Sequence, residues 1–282
     1  MTAILGGLGA ALMFSVGTLC SSRSSRMIGP WSVLAWVMAF GLVLNLGMIA
    51  VVGGPGHLDA GLVGWMVAAG VGNVVGLLLS YSALRHGKVG LVAPITSTEG
   101  AIAAVIAVIH GESLGTASAV LLVLIVTGVV LAGLAPEELP VEGERKVYAV
   151  LLASAAAVAF GISLYATGHL SSRLPLPWVL LPPRVIGVVA ITVPLAATRR
   201  LRLTRRALPL VLAGGVSEVV GFSSYTWGAR GSIAVAAVLV SQFAAISGIA
   251  AYVLFRERLS RLQIGGVSVI IIGVSVLSAV RA

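Results

Sequence analysis

Two carboxylic acids stand inside long apolar stretches of the chain, Glu99 within residues 90–109 and Glu218 within residues 208–228. If those stretches cross a bilayer, a charge at the centre costs about 2.5–3.5 kcal/mol on insertion scales. Such a side chain faces a cavity, meets a partner or carries a proton. Either carboxylate suits a coupling proton or a substrate ammonium group; the plainer alternative is a protonated carboxyl hydrogen-bonded to a neighbouring helix. Thr96, Ser97 and Thr98 precede Glu99, and Pro94 frees a backbone carbonyl one turn earlier. That run reads as a loosened, cavity-lining helix, or as hydroxyls bonding back to their own helix. Asn73 and Tyr81 lie in the apolar stretch 61–84, Tyr225 shares the stretch of Glu218, and Gln242 lies in 233–254. Singly, each is more often a helix-packing hydrogen bond than a ligand. Together, Asn73, Thr98 and Glu99 from the first half, with Glu218, Tyr225 and Gln242 from the second, predict one central polar site, with Tyr81 on the face of Asn73. Arg184, just after Pro182-Pro183, suits a substrate carboxylate, which a guanidinium holds through two parallel bonds. Snorkelling to the interface or pairing with an acid is its structural alternative.

Composition says what must position these groups. Of 282 residues, 59% are hydrophobic, 10% are charged and 35 are Gly, against about 45–50% apolar and about 25% charged in soluble domains. A soluble surface needs the missing charges, so the solvent of this chain is hydrocarbon. At about 20 residues per helix, the apolar stretches at 2–20, 30–52, 61–84, 90–109, 114–134, 147–168, 177–197, 208–228, 233–254 and 262–280 predict an all-α integral membrane protein of ten transmembrane helices. A β-barrel would alternate apolar and polar residues, which the run Ala117 to Ala132 does not. The first twenty residues lack a basic n-region and read as a retained first helix. The single cysteine, Cys20, excludes an internal disulfide framework. No metal site or cofactor is expected: His110-x-Glu112 lacks further ligands, and Gly72-x3-Gly76 suits close helix packing rather than phosphate binding. No serine has a triad context, and no nucleotide-binding motif appears, so energy is expected from a gradient.

The net charge of +9 would suggest nucleic acid in a soluble protein. Here fourteen of the eighteen Lys and Arg fall in alternate loops: Arg23 and Arg26; Arg85 and Lys88; Arg145 and Lys146; Arg199, Arg200, Arg202, Arg205 and Arg206; Arg256, Arg258 and Arg261. In a ten-span chain those loops share one side, which the positive-inside rule makes cytoplasmic, with both termini outside an inner (plasma) membrane. Nucleic acid is excluded as the partner, and the run Arg199 to Arg206 is expected to face anionic lipid headgroups.

The halves repeat, residues 1–135 and 147–282 flanking a linker at 136–146 that carries Glu137, Glu138, Glu142 and Glu144. A shift of 145 places Gly70-Val71 on Gly215-Val216, Val74-Val75-Gly76 on Val219-Val220-Gly221, Asn73 on Glu218, Arg85 on Arg230, Glu112 on Glu257 and Gly128 on Gly273. Slightly different shifts match Pro30-Trp31 with Pro177-Trp178 and Phe14 with Phe160. Five spans per half is an odd number, so the second half inserts upside down. Two inverted five-helix repeats are a recurrent transporter architecture, with the site between them near the midplane.

The junctions Gly111-Glu112-Ser113-Leu114 and Arg256-Glu257-Arg258-Leu259-Ser260 each precede a Gly-bearing apolar helix, Thr127-Gly128-Val129 and Ile272-Gly273-Val274. With the five-plus-five arrangement, these junctions resemble the EamA-type carriers of the drug/metabolite transporter superfamily. Arg184 resembles a family arginine near the start of the second helix of a repeat, where the first half has Trp36-Val37 instead. The resemblance implies a ten-helix carrier of metabolites, amino acids or drugs. Glu112 and Glu257 read as capping or gating residues.

The expected function is a secondary active transporter that exports or exchanges a small polar or zwitterionic, amino-acid-like metabolite by alternating access, with a possible coupling proton. Two carboxylates and one arginine suit a zwitterion. A multidrug exporter of lipophilic cations is the first alternative. It would favour an acid-lined, aromatic-rich cavity, and the 6% aromatic content leans against it. A membrane-embedded enzyme or scaffold is the alternative of another class. The chain is expected to act as a monomer or a homodimer.

Overall fold

The computed structural model describes residues 1–87, 89–112 and 145–255, with isolated positions between 115 and 127 and between 265 and 272. Among the described residues there is no strand. The elements are α1 (Thr2–Ile28), α2 (Pro30–Val52), α3 (Ala60–His86), α4 (Val89–Thr96), α5 (Glu99–Ile109), α6 (Lys146–Ser171), α7 (Leu176–Gly187), a π-helical segment (Val188–Thr192), α8 (Val193–Ala197), α9 (Leu208–Ala229), α10 (Ile233–Val240) and α11 (Phe243–Phe255). They make eight helices long and apolar enough to cross a membrane. These correspond to the expected spans one to four and six to nine. The expected fifth and tenth spans lie outside the described residues apart from isolated positions, as do the linker over 136–144, Lys88, Arg256, Glu257, Arg258, Arg261 and Arg281.

The first span runs eight residues further than its apolar stretch suggests, to Ile28. Ser21, Ser22, Ser24 and Ser25 are buried there, and Ser24 donates its hydroxyl back to the Cys20 carbonyl at 2.8 Å. A back-bonded serine remains helical at modest cost, and Arg23 and Arg26 ride on helix α1 rather than in a loop. Gly29 then turns the chain within one residue. Its φ of 85° is left-handed, which a side chain would resist, and Pro30 opens α2 at a position that needs no N–H donor. Asp59 caps α3 by accepting from Leu62 N–H at 2.8 Å, and Ser232 caps α10 by accepting from Val235 N–H at 3.2 Å.

Two spans are interrupted. The fourth breaks between α4 and α5 at Ser97-Thr98, and the ninth between α10 and α11 at Ser241-Gln242. In both, backbone bonds tighten to the carbonyl three residues back, Thr98 to Ile95 at 3.2 Å and Gln242 to Leu239 at 3.1 Å. The breaks fall at equivalent places in the two halves, since the 145-residue shift carries Ser97 onto Gln242.

Helix pairing is reciprocal between halves: α1 packs on α9 and α3 on α6, α2 on α7, α5 on α10 and α4 on α11. The first span of each half thus lies against the third span of the other. At one end Arg26 donates to the Leu84 and Gly87 carbonyls at 3.4 and 3.0 Å, and Arg145 N–H donates to the His86 carbonyl at 3.1 Å. The end of α1 and the start of α6 therefore share that end, and the corresponding helices run in opposite directions. This is an inverted repeat. At the other end Trp178 donates to the Gly53 carbonyl at 2.8 Å. There Glu112 accepts from the Ser232 hydroxyl and from Ala234 N–H, capping a helix of the opposite half. The described basic residues Arg23, Arg26, Arg85, Arg145 and Arg199 to Arg206 sit at the first end, and Arg173 and Arg230 at the second.

Candidate functional site

Glu218, on α9, is held from both sides. Asn73 of α3 donates its amide to Glu218 Oε1 at 3.1 Å, and Nη1 of Arg184, on α7, lies 3.6 Å from the same oxygen. Arg184 is only 1% exposed. It fits because residue 41 of α2 is glycine: a Cβ there would come within 3.0 Å of the arginine Cδ and Nε. The Asn73–Glu218 bond joins repeat-equivalent positions, so it lies where the two halves mirror each other. A buried carboxylate with an adjacent guanidinium is close to neutral as a unit, which reduces the penalty of placing either group in the membrane. Nε and Nη2 of Arg184 and Oδ1 of Asn73 have no partner among the described residues.

In front of this pair lies a cavity of about 50 Å³. Glu99 and Glu218 both face it, together with Tyr81, Thr96 and the rings of Phe14, Phe160, Phe222 and Phe243. Two of those rings occupy equivalent sockets. A Cβ on Gly76 would stand 2.5 Å from the Phe160 ring, and one on Gly221 would stand 2.5 Å from the Phe14 ring. Each half therefore seats its own phenylalanine against a glycine of the other half. Glu99, 4% exposed, opens α5 just past the helix break. Its carboxyl meets no hydrogen-bond donor among the described residues, so the cavity is where its polar end can be satisfied. A cavity of this size admits a few waters, whereas sites for drug-sized ligands span roughly 300–1,000 Å³. The cavity as it stands is too small for a drug-sized ligand.

The expected site residues divide accordingly. Glu99, Glu218 and Tyr81 line the cavity. Asn73 and Arg184 stand behind Glu218, outside the lining. Thr98 donates its hydroxyl to the Ile95 carbonyl at 2.8 Å, and Thr96, two residues earlier, lines the cavity instead. Gln242 is buried at the second break, its amide nitrogen without a partner among the described residues. Tyr225 is fully buried and spends its hydroxyl on the Leu164 carbonyl at 2.7 Å, a helix-packing bond of the ordinary kind. Nothing in the sequence marks the four phenylalanines as cavity-lining. The matched pairs Phe14–Phe160 and Gly76–Gly221 mark only shared positions.

A model of the EamA-like transporter family matches residues 1–134 and 147–279. The chain belongs to that family. It is a membrane transporter by this membership, as its resemblance to the drug/metabolite transporter superfamily implied. A search among curated proteins returns no match. Among solved structures, the chain of one described as a crystal structure of protein is 18% identical, covers 99% of this chain with 99% of its own length, and superposes with a TM-score of 0.76. At that identity the likeness speaks for the fold. In this EamA-like transporter the broken fourth and ninth spans cross near the site. A Cβ on Gly100 would collide with the Ala237 carbonyl and the Ser241 hydroxyl, so the start of α5 is pressed directly against the second break. Discontinuous helices at corresponding places in two inverted halves are a recurrent feature of secondary-transporter architecture.

Proposed function

We propose that this protein is a secondary active transporter that moves small molecules bearing an ammonium group on an apolar body, exporting them in exchange for protons by alternating access. The observation that carries this reading is Glu99: a buried carboxyl facing a cavity walled by four phenylalanines and Tyr81, while the neighbouring Glu218 is already balanced by Arg184. Glu99 can hold a proton or an ammonium group but not both, and that exclusion couples their movements. Aromatic faces add cation–π attraction, worth about 2 kcal/mol or more when desolvated. A cavity of about 50 Å³ then requires the inverted halves to rock apart to admit cargo. The low aromatic content of the chain leans against a cationic cargo, yet four of its six phenylalanines gather at this one cavity.

A zwitterionic amino acid is the second reading, favoured by the two unpartnered guanidinium nitrogens of Arg184, which suit a carboxylate. Proteoliposome uptake under an imposed proton gradient separates the two. We expect transport of a lipophilic amine at a rate comparable to the amino acid of the same side chain, and loss of both in Glu99→Gln. Transport of the amino acid alone favours the zwitterion. Unchanged transport by Glu99→Gln, with unchanged dependence on the gradient, overturns the carboxyl-exchange mechanism altogether.

A further inference from the structure

A second concavity opens at the basic end of the bundle, well away from the carboxylates. It has a volume of about 590 Å³ and lies between the α1–α2 turn, the end of α3 and the chain leaving α8. Four arginines line it: Arg85 from the first half and Arg199, Arg200 and Arg202 from the second. No carboxylate lines it among the described residues, and the four arginines find no acceptor there. Four like charges around one groove repel one another unless an anion sits between them. Most of the remaining wall is apolar, Ser32 and Thr198 aside, and includes Leu195 and Trp31, which is 51% exposed at the start of α2. An exposed indole at a helix end settles at the headgroup level of a bilayer.

The chain geometry around the groove is fixed rather than loose. Arg202 N–H donates to the Ser32 hydroxyl at 3.2 Å, and the Arg202 carbonyl accepts from Trp36 Nε1 at 3.1 Å. Arg199 adopts a left-handed backbone with φ of 53°, unusual for a residue with a side chain, at a turn where Arg199 and Arg200 both line the groove. Guanidinium groups bind phosphate oxygens through paired hydrogen bonds, so a phosphate is the anion this chemistry selects. A free phosphate would use the arginines alone. A lipid phosphodiester would use the arginines and the apolar wall together.

We propose that this groove binds the phosphodiester headgroup of an anionic membrane phospholipid, clasping the two halves together at the basic end. Because Arg85 and the Arg199–Arg202 turn belong to opposite halves, the lipid bridges parts that alternating access must move relative to each other. Arg205 and Arg206 lie in the same connection but outside the groove, and they contribute only to general attraction toward the membrane.

Native mass spectrometry of the full chain in detergent, with phosphatidylglycerol and phosphatidylcholine supplied together, tests the site. Each arginine near an anionic surface is worth roughly a fivefold change in partitioning. The wild-type protein is expected to retain phosphatidylglycerol preferentially. Arg199→Gln/Arg200→Gln/Arg202→Gln should lose that preference, and Arg85→Gln should weaken it several-fold. Arg205→Gln/Arg206→Gln should keep it, and melting temperatures show which variants are folded. Equal retention of the two lipids by the wild-type protein, or equal losses in the two multiple variants, overturns a specific site. Displacement of the lipid by millimolar inorganic phosphate overturns the lipid assignment in favour of a free-phosphate site.

Discussion

Glu218 and Glu99 are both buried acids in the same cavity, yet the residues around them give them different duties. Glu218 shares one oxygen with Asn73 and Arg184, so removing its charge strands a guanidinium that is 1% exposed. Breaking a buried pair from one side costs about 3–5 kcal/mol, while replacing both partners with apolar groups of similar volume is often neutral. We therefore expect Glu218→Leu to lower the thermal stability of the purified protein steeply, and Arg184→Met/Glu218→Leu to recover most of it. A single variant as stable as the parent, measured by melting in detergent, would sink the pairing. Glu99 has no such partner among the described residues, and Glu99→Gln should melt close to the parent while losing transport. Both acids were legible in the sequence because a charge within an apolar stretch stands out against its neighbours. Their pairing was not, because Arg184 and Glu218 lie on different helices and either acid could have been its partner. The phenylalanine walls were less legible still. In a membrane protein a lipid-facing phenylalanine and a cavity-facing one sit in the same apolar run, with no contrast to separate them.

Among the helices, glycines decide where the walls of the site can stand. Gly76 on α3 and Gly221 on α9 each accept a phenylalanine ring from the helix packed across them. Adding one methyl group there forces a ring to move in a packed interior, which costs typically 1–3 kcal/mol, and the adjacent free space is the cavity. Gly76→Ala and Gly221→Ala should therefore raise the KM for transport several-fold while the protein still folds. Gly47→Ala, whose Cβ would meet nothing within 4 Å, should leave KM unchanged. An unchanged KM in both cavity variants would mean the rings do not shape the site. The sequence pattern found these glycines as repeat matches but not as sockets, since a match says that a position is shared and not what it touches. The helix breaks were half legible for a related reason. Pro94 announced the first. The second, at Ser241-Gln242, has no proline, and it shows only when the 145-residue shift carries Thr96-Ser97 onto it. Gln242 thereby corresponds to Ser97, two residues short of Glu99.

At the scale of the molecule, charge distribution and fold make one joint prediction. The described basic residues of the alternate loops gather at a single end of the bundle, with Arg173 and Arg230 at the other. That asymmetry follows from inversion: a helix whose end is basic in one half corresponds to a helix whose start is basic in the other. Hydropathy and the parity of the spans made this legible without any contact being known. Which helix pairs with which was not, because apolar faces of similar composition carry no address, and the pairing of first spans with third spans emerges only from packing. Loops rich in Lys and Arg remain on the cytoplasmic side during insertion, so the end holding Arg199 to Arg206 should face the cytoplasm and the α2–α3 connection should face outward. His57 and Thr198 are exposed, in the α2–α3 connection and at the end of α8 respectively. In a Cys20→Ser background, His57→Cys should react with a membrane-impermeant maleimide in intact cells, and Thr198→Cys only after permeabilisation. The opposite pattern would reverse the orientation while leaving the fold intact. Equal labelling of both would mean that the chain inserts both ways, which so one-sided a charge distribution opposes by about 1 kcal/mol for each arginine near an anionic surface.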